Sequence, residues 1–127
     1  MSIFSNHFPL GLGTSRFPIA GPDDTKGIEQ SIALVYQALE SGITYVDVGY
    51  NYSAGMALFV LKEAFQQTDQ PFSVTAKVMY GPDRTADDAR RRIELYLKAM
   101  GLEKVQYFTC WTIWNYEVFE NIMKKGG

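Results

Sequence analysis

Gly42-Ile-Thr-Tyr-Val-Asp-Val-Gly-Tyr-Asn-Tyr52 is the stretch that decides the fold of this chain. It opens on a glycine suited to end a helix and passes into an apolar run, Ile43 to Val48, that reads as a strand. The run carries an acid, Asp47, at its far end and a phenol, Tyr52, five residues further on. A second apolar run, Phe72-Ser-Val-Thr-Ala-Lys77, ends in a lysine. Acid, phenol and ammonium therefore each sit at or just beyond the C-terminal end of an expected parallel strand. In a βα-barrel that end of the sheet is where catalytic groups gather.

Outward from this stretch the chain alternates strand and helix four times. Upstream, Leu10-Gly-Leu-Gly-Thr14 reads as a short buried strand whose glycines permit close approach to its backbone. A loop through Gly21-Pro-Asp-Asp24 leads into a helix with Ile28, Ile32, Val35, Tyr36 and Leu39 on one face. Downstream, Met56, Phe59, Val60 and Ala64 mark a second helix, and Phe72 to Val78 a third strand. Thr85-Ala-Asp-Asp88 has the form of a helix N-terminal capping box. It opens a helix with Ala89, Ile93, Tyr96, Leu97 and Met100 buried, closed by Gly101. Val105 to Ile113 is the expected fourth strand, and Asn115 caps a last helix.

This order implies a parallel sheet with right-handed crossovers. Two folds meet it: an open doubly wound sheet and part of a (β/α)8 barrel. The dinucleotide fingerprint of the first is missing, because Gly11-Leu-Gly13-Thr-Ser-Arg16 places arginine at its third glycine and no helix follows directly. The fold expected is α/β of the (β/α)8 TIM-barrel type, with only the first four βα units present. Residues 1–127 form a single unit, since no linker or second composition regime appears.

The chain's 127 residues, 46% hydrophobic and 14% aromatic, suffice for one folded core. A net charge of −2 gives no electrostatic reason to expect nucleic acid or an anionic membrane as partner. One cysteine, Cys110, cannot make an internal disulfide. No secretory signal is visible at the start, and no apolar stretch approaches the roughly 20 residues that span a bilayer. A cytoplasmic location is the expectation.

Asp47, Tyr52 and Lys77 are the groups that could do chemistry. A tyrosine with its ordinary pKa near 10 is a poor acid at neutral pH. A nearby ammonium stabilises phenolate, and an aspartate holds that ammonium charged and oriented. Such a phenol can protonate a carbonyl oxygen as hydride arrives at the carbon. On spacing alone, an ordinary salt bridge between neighbouring strand ends accounts for the acid and the lysine at least as well.

Four segments together resemble the aldo-keto reductase family: Leu10-Gly-Leu-Gly-Thr14, Gly42 to Tyr52, Thr75-Ala-Lys77 and Val105-Gln-Tyr-Phe-Thr-Cys-Trp111. The resemblance implies a (β/α)8 barrel, NADP(H) as cofactor and reversible reduction of a small aldehyde or ketone to an alcohol. It implies Tyr52 as general acid, Lys77 as its pKa-lowering partner and Asp47 as the partner of Lys77. Gly13 and Thr14 would lie near the nicotinamide. Two features depart from the family. Its fourth strand usually ends in a substrate-orienting histidine, where this chain has Trp111; an indole N–H can donate one hydrogen bond but cannot accept or titrate. Trp111 either lines the pocket or packs at the barrel mouth. A complete barrel also has eight βα units, and this chain supplies four. A fragment of a longer enzyme is one expectation. The other is a catalytically idle half-barrel that self-associates through its bare edges. A third reading, Lys77 as the Schiff-base nucleophile of an aldolase, leaves Tyr52 and the glycine-rich strand without roles.

The remaining conspicuous residues have structural readings. His7 precedes the first strand, at the wrong end for catalysis. Cys110 alternates to the face opposite Trp111 and is expected to be buried. Arg90-Arg-Arg92 reads as a solvated helix face, and Trp114, Tyr116 and Phe119 as core packing. Asp23, Asp24, Asp83, Asp87 and Asp88 fall in turns and caps, and no metal site is expected.

Overall fold

The computed structural model describes residues 10–79, 81–112 and 116–124. Four strands, β1 (Gly11–Gly13), β2 (Tyr45–Asp47), β3 (Ser73–Val78) and β4 (Tyr107–Cys110), alternate with four helices. These are α1 (Thr25–Glu40), α2 (Met56–Gln67), α3 (Ala86–Met100) and α4 (Tyr116–Lys124). The strands form one parallel sheet in the order β1-β2-β3-β4. A doubly wound sheet reverses its order at a switch point; this one runs straight on, as a barrel does. The architecture is half of a (β/α)8 barrel.

Period-two alternation divides the sheet into two faces. Val46 and Val48 on one side of β2, and Val74, Ala76 and Val78 on the same side of β3, are completely buried. Val46, Val48, Val74 and Ala76 share one core with Val35 and Leu39 of α1, Val60, Leu61 and Ala64 of α2, and Tyr96 and Met100 of α3, while Val78 packs with Ala86, Ala89 and Phe108. The opposite face would be a barrel's interior. Gly13, Asp47, Thr75 and Tyr107 stand side by side there in register, with Lys77 beyond them along β3. Tyr45 and Tyr107 on this face remain 39% and 48% exposed, their rings 6.0 Å apart.

Local signals explain the helix ends. Asp24 caps α1, its carboxylate accepting from the backbone N–H groups of Gly27 and Ala20. Thr85 and Asp88 form the reciprocal capping box of α3, and Gly101 closes that helix in the left-handed conformation. The strands are shorter than the apolar runs that announced them: Ile43 and Thr44 precede β2, and Val105 and Gln106 precede β4. Phe59 points outward at 45% exposure, since α2 turns Ala57, Leu58, Val60 and Leu61 inward instead. Tyr116 is 61% exposed rather than packed in the core. Ile113 and Asn115, expected at the end of β4 and the cap of α4, lie outside the described residues, as do His7 and Trp114. No helix among the described residues is long and apolar enough to cross a membrane.

Candidate active site

Asp47 ends β2 and Lys77 lies next to the end of β3, so both side chains leave the sheet on the face away from the helices. Lys77 Nζ makes an ion pair with Asp47 Oδ1 and donates to the Val48 carbonyl oxygen at 3.3 Å. The lysine side chain is 12% exposed and the aspartate's 35%, so water screens the pair only in part. The same ammonium lies 5.4 Å from the centre of the Tyr52 ring. It meets the phenol across the ring; no hydrogen bond joins it to the Tyr52 hydroxyl.

Three surfaces fix that ring. Tyr52 N donates to Gly49 O at 3.2 Å, closing a tight turn after β2. A β-carbon on Gly49 would lie 2.5 Å from Tyr52 Cε1, so the ring rests on a bare α-carbon. Trp111 stands edge-on to it, with centroids 5.6 Å apart and planes at 70°. Immediately after Tyr52, Ser53 and Ala54 take left-handed backbone angles, φ 51° and 53°. For residues with a β-carbon that conformation costs roughly 1–2 kcal/mol apiece. The strained turn brings the chain from Tyr52 into α2 within four residues, Tyr52–Gly55.

The two glycines of β1 differ in use. Gly11 lies under the Tyr45 ring, where an added β-carbon would stand 2.8 Å from Tyr45 Cδ1. Gly13, beside Asp47, has nothing within 4 Å of that position. Thr14 is completely buried, and its hydroxyl donates to the Asp47 carbonyl oxygen at 2.8 Å, tying β1 to the end of β2. Thr75, also buried, donates to the Tyr45 hydroxyl at 2.5 Å.

Behind the rim lies a polar cluster that sequence reading missed. Arg92 does not belong to a solvated face: its Nε and a terminal nitrogen bind the two carboxylate oxygens of Asp83 at 2.9 and 3.0 Å. Asp83 is 4% exposed and also accepts from Met79 N at 2.8 Å. The hydrogen bonds to Asp83 push the Arg92 guanidinium still further toward its charged form. Arg92 lies 4.6 Å from the Tyr50 ring centre, and Tyr96 meets Tyr50 edge-on at 5.5 Å. Tyr96 is fully buried, and burial drives its phenol well above the ordinary value, leaving a fixed donor. Arg90 and Arg91 are the solvated members of the triplet, paired with Asp87 and Asp88. Cys110 is half-buried, and burial pushes its thiol up. Arg92 and Tyr96 at i and i+4, with an acid in the loop before the helix, were the available signal for this cluster.

The sequence profile of the aldo/keto reductase family matches residues 9–125, nearly the whole chain. This chain belongs to that family. Solved structures share its fold at low identity. A Pseudomonas aeruginosa protein named as an aldo-keto reductase by its likeness to that family superposes with a TM-score of 0.69 at 24% identity, over 89% of this chain and 45% of that one. An aldo-keto reductase from Klebsiella pneumoniae in complex with NADPH gives 0.66 at 20% identity, over 91% and 41%. The Bombyx mori enzyme in complex with NADP gives 0.61 at 22% identity, over 78% and 32%. The chain thus spans less than half the length of each of these relatives. No curated protein matches it.

Proposed function

We propose that this chain carries the proton-donating side of an NADP(H)-dependent carbonyl reductase acting on a small aldehyde or ketone. The observation that carries the reading is the convergence of Lys77 on both Asp47 and the Tyr52 ring at one rim. NADP(H), when bound, supplies or accepts the hydride at the carbonyl carbon. The residues at the rim fit such a group: Gly13 leaves open space beside Asp47 in which a flat ring can lie on bare backbone. Gly13 and Thr14 are the residues proposed to border it, Thr14 by fixing the backbone of Asp47.

In the proposed step Tyr52 gives its hydroxyl proton to the carbonyl oxygen and is left as phenolate. The Lys77 ammonium stabilises that negative charge across a partly dehydrated gap, where charge interactions exceed those in water. Asp47 holds the ammonium in place through their ion pair. A proton from solvent then restores the phenol. Trp111 stands edge-on to the Tyr52 ring, and its indole N–H is proposed to orient the carbonyl oxygen as a donor only.

With residues 1–127 completed to a closed barrel by fusion to the second half of an aldo/keto reductase, Tyr52→Phe is expected to lower carbonyl reduction about 10²–10⁴-fold. Cofactor affinity should stay near the parent value, because the phenol acts on the substrate oxygen. Retained turnover refutes the assignment. The isolated 127-residue chain is expected to bind NADPH weakly, since its four strands supply half of a barrel mouth; micromolar affinity in a fluorescence titration contradicts this.

A second reading, an idle half-barrel that self-associates, draws on the exposed Tyr45 and Tyr107 and on the outer edges of β1 and β4. The aldolase reading is weaker, because it gives no role to Tyr52 or to the glycines of β1 and leaves the Lys77 nitrogen engaged by Asp47. Borohydride with a carbonyl compound should leave no adduct on Lys77; a covalent adduct there would favour the aldolase.

A further inference from the structure

Tyr52 and Lys77 reach the rim on separate limbs of the chain, the loop after β2 and the strand β3. Their mutual placement depends on what joins those limbs. Four contacts from α3 and the loop before it do so. The Arg92 guanidinium lies 4.6 Å from the centre of the Tyr50 ring, two residues before Tyr52. Tyr96, one turn along α3, packs edge-on against the same ring at 5.5 Å and 87°. The Tyr96 hydroxyl donates to the Lys77 carbonyl oxygen at 3.1 Å. Asp83, which fixes Arg92 with both oxygens, accepts from the N–H of Met79, two residues beyond Lys77.

We infer that Arg92 and Tyr96 are positioning residues for the Tyr52–Lys77 pair, gripping the loop through the Tyr50 ring and the strand through the Lys77 carbonyl. The inference rests on reading Tyr52 and Lys77 as the reacting pair. Core packing alone asks less of these positions. A fully buried ring needs no hydroxyl to fill space, and a buried arginine needs a dedicated acid to be tolerated at all. Here both polar groups are present, and both are directed at the two limbs that carry the site. A misplacement of about 1 Å at a reacting pair is enough to cost a large part of the rate, which gives such a brace its purpose.

The test uses the 127-residue chain with ring-¹³C-labelled tyrosine, the Tyr52 signal being identified by its loss in Tyr52→Phe. Arg92→Lys keeps the charge but removes the two-pronged grip on Asp83 and the flat stack on Tyr50. Tyr96→Phe removes one oxygen only. Each variant is expected to displace the Tyr52 ring signal, while the signals of Tyr45 and Tyr107 and the helical circular dichroism stay as in the parent. If the Arg92 variant fails to fold, Tyr96→Phe decides alone. An unmoved Tyr52 signal in the folded variants overturns the inference. The proton-donor reading fails on different grounds, by retained carbonyl reduction in Tyr52→Phe, and that result leaves the spectroscopic outcome untouched.

Discussion

A single methyl group probes how Tyr52 is held. Gly49→Ala places a β-carbon within 2.5–2.8 Å of three atoms of the Tyr52 ring, closer than any real contact. Either the ring or the loop must move. The expected outcome is a loss of about 1–3 kcal/mol in stability, as for other overpacked sites, together with a displaced Tyr52. Denaturant unfolding measures the first; an unchanged midpoint would show that the ring has room to retreat. Ala54→Gly should act in the opposite sense, raising stability by up to about 1 kcal/mol through relief of a left-handed β-carbon. At this scale the sequence was legible for Asp47 and Lys77, because strand-end positions follow from hydrophobic pattern. It was not legible for the seat of Tyr52. That depends on a turn with two left-handed non-glycine residues, Ser53 and Ala54, which no propensity favours. The small residue at 49 and the glycine at 55 were the clues left in the chain.

α3 is the element on which the site leans, and its start and the loop before it invite separate tests. Thr85→Ala removes the cap at its start and is expected to cost about 1 kcal/mol. Asp88 in the same box accepts from the Arg84 backbone N–H and from Thr85, which holds its carboxyl below the ordinary value of 3.8. Its contribution is therefore complete above that value and is lost as pH falls through the lower folded value. Asp24 at the start of α1 behaves the same way, through the N–H groups of Ala20 and Gly27. Amide exchange should show the first turns of α1 and α3 opening as pH drops below about 4; uniform protection down to pH 2 would contradict this. Asp83→Ala strands the half-buried Arg92 and should cost on the order of 3 kcal/mol. A thermal scan showing no loss would mean that water replaces the acid. Thr85 and Asp88 could be read in advance because caps are local. The Asp83–Arg92 pair could not, because both residues fit equally well in a turn and on a wet helix face until the tertiary fold brings them together.

At the scale of the molecule, strict βα alternation was sufficient for the half-barrel, and the absent fingerprint at Arg16 pointed away from a doubly wound sheet. The hydrophobic pattern did not disclose that Tyr45 and Tyr107, on the sheet face away from the helices, stand exposed among the described residues. Both fall within the expected strands, and the pattern of those strands carries no mark of which face stays exposed. The isolated chain is accordingly expected to self-associate, with the weight-average mass in sedimentation rising with concentration above 14.3 kDa. A species that stays monomeric at every concentration would count against the idle self-associating reading. The central claim remains that Asp47, Lys77 and Tyr52 act as one proton-donating unit. The most direct measurement compares NADPH consumption with an aldehyde by the parent and Tyr52→Phe, with residues 1–127 completed to a closed barrel by fusion to the second half of an aldo/keto reductase. The account predicts a rate lowered about 10²–10⁴-fold with NADPH affinity unchanged; an undiminished rate in the phenylalanine variant would contradict it.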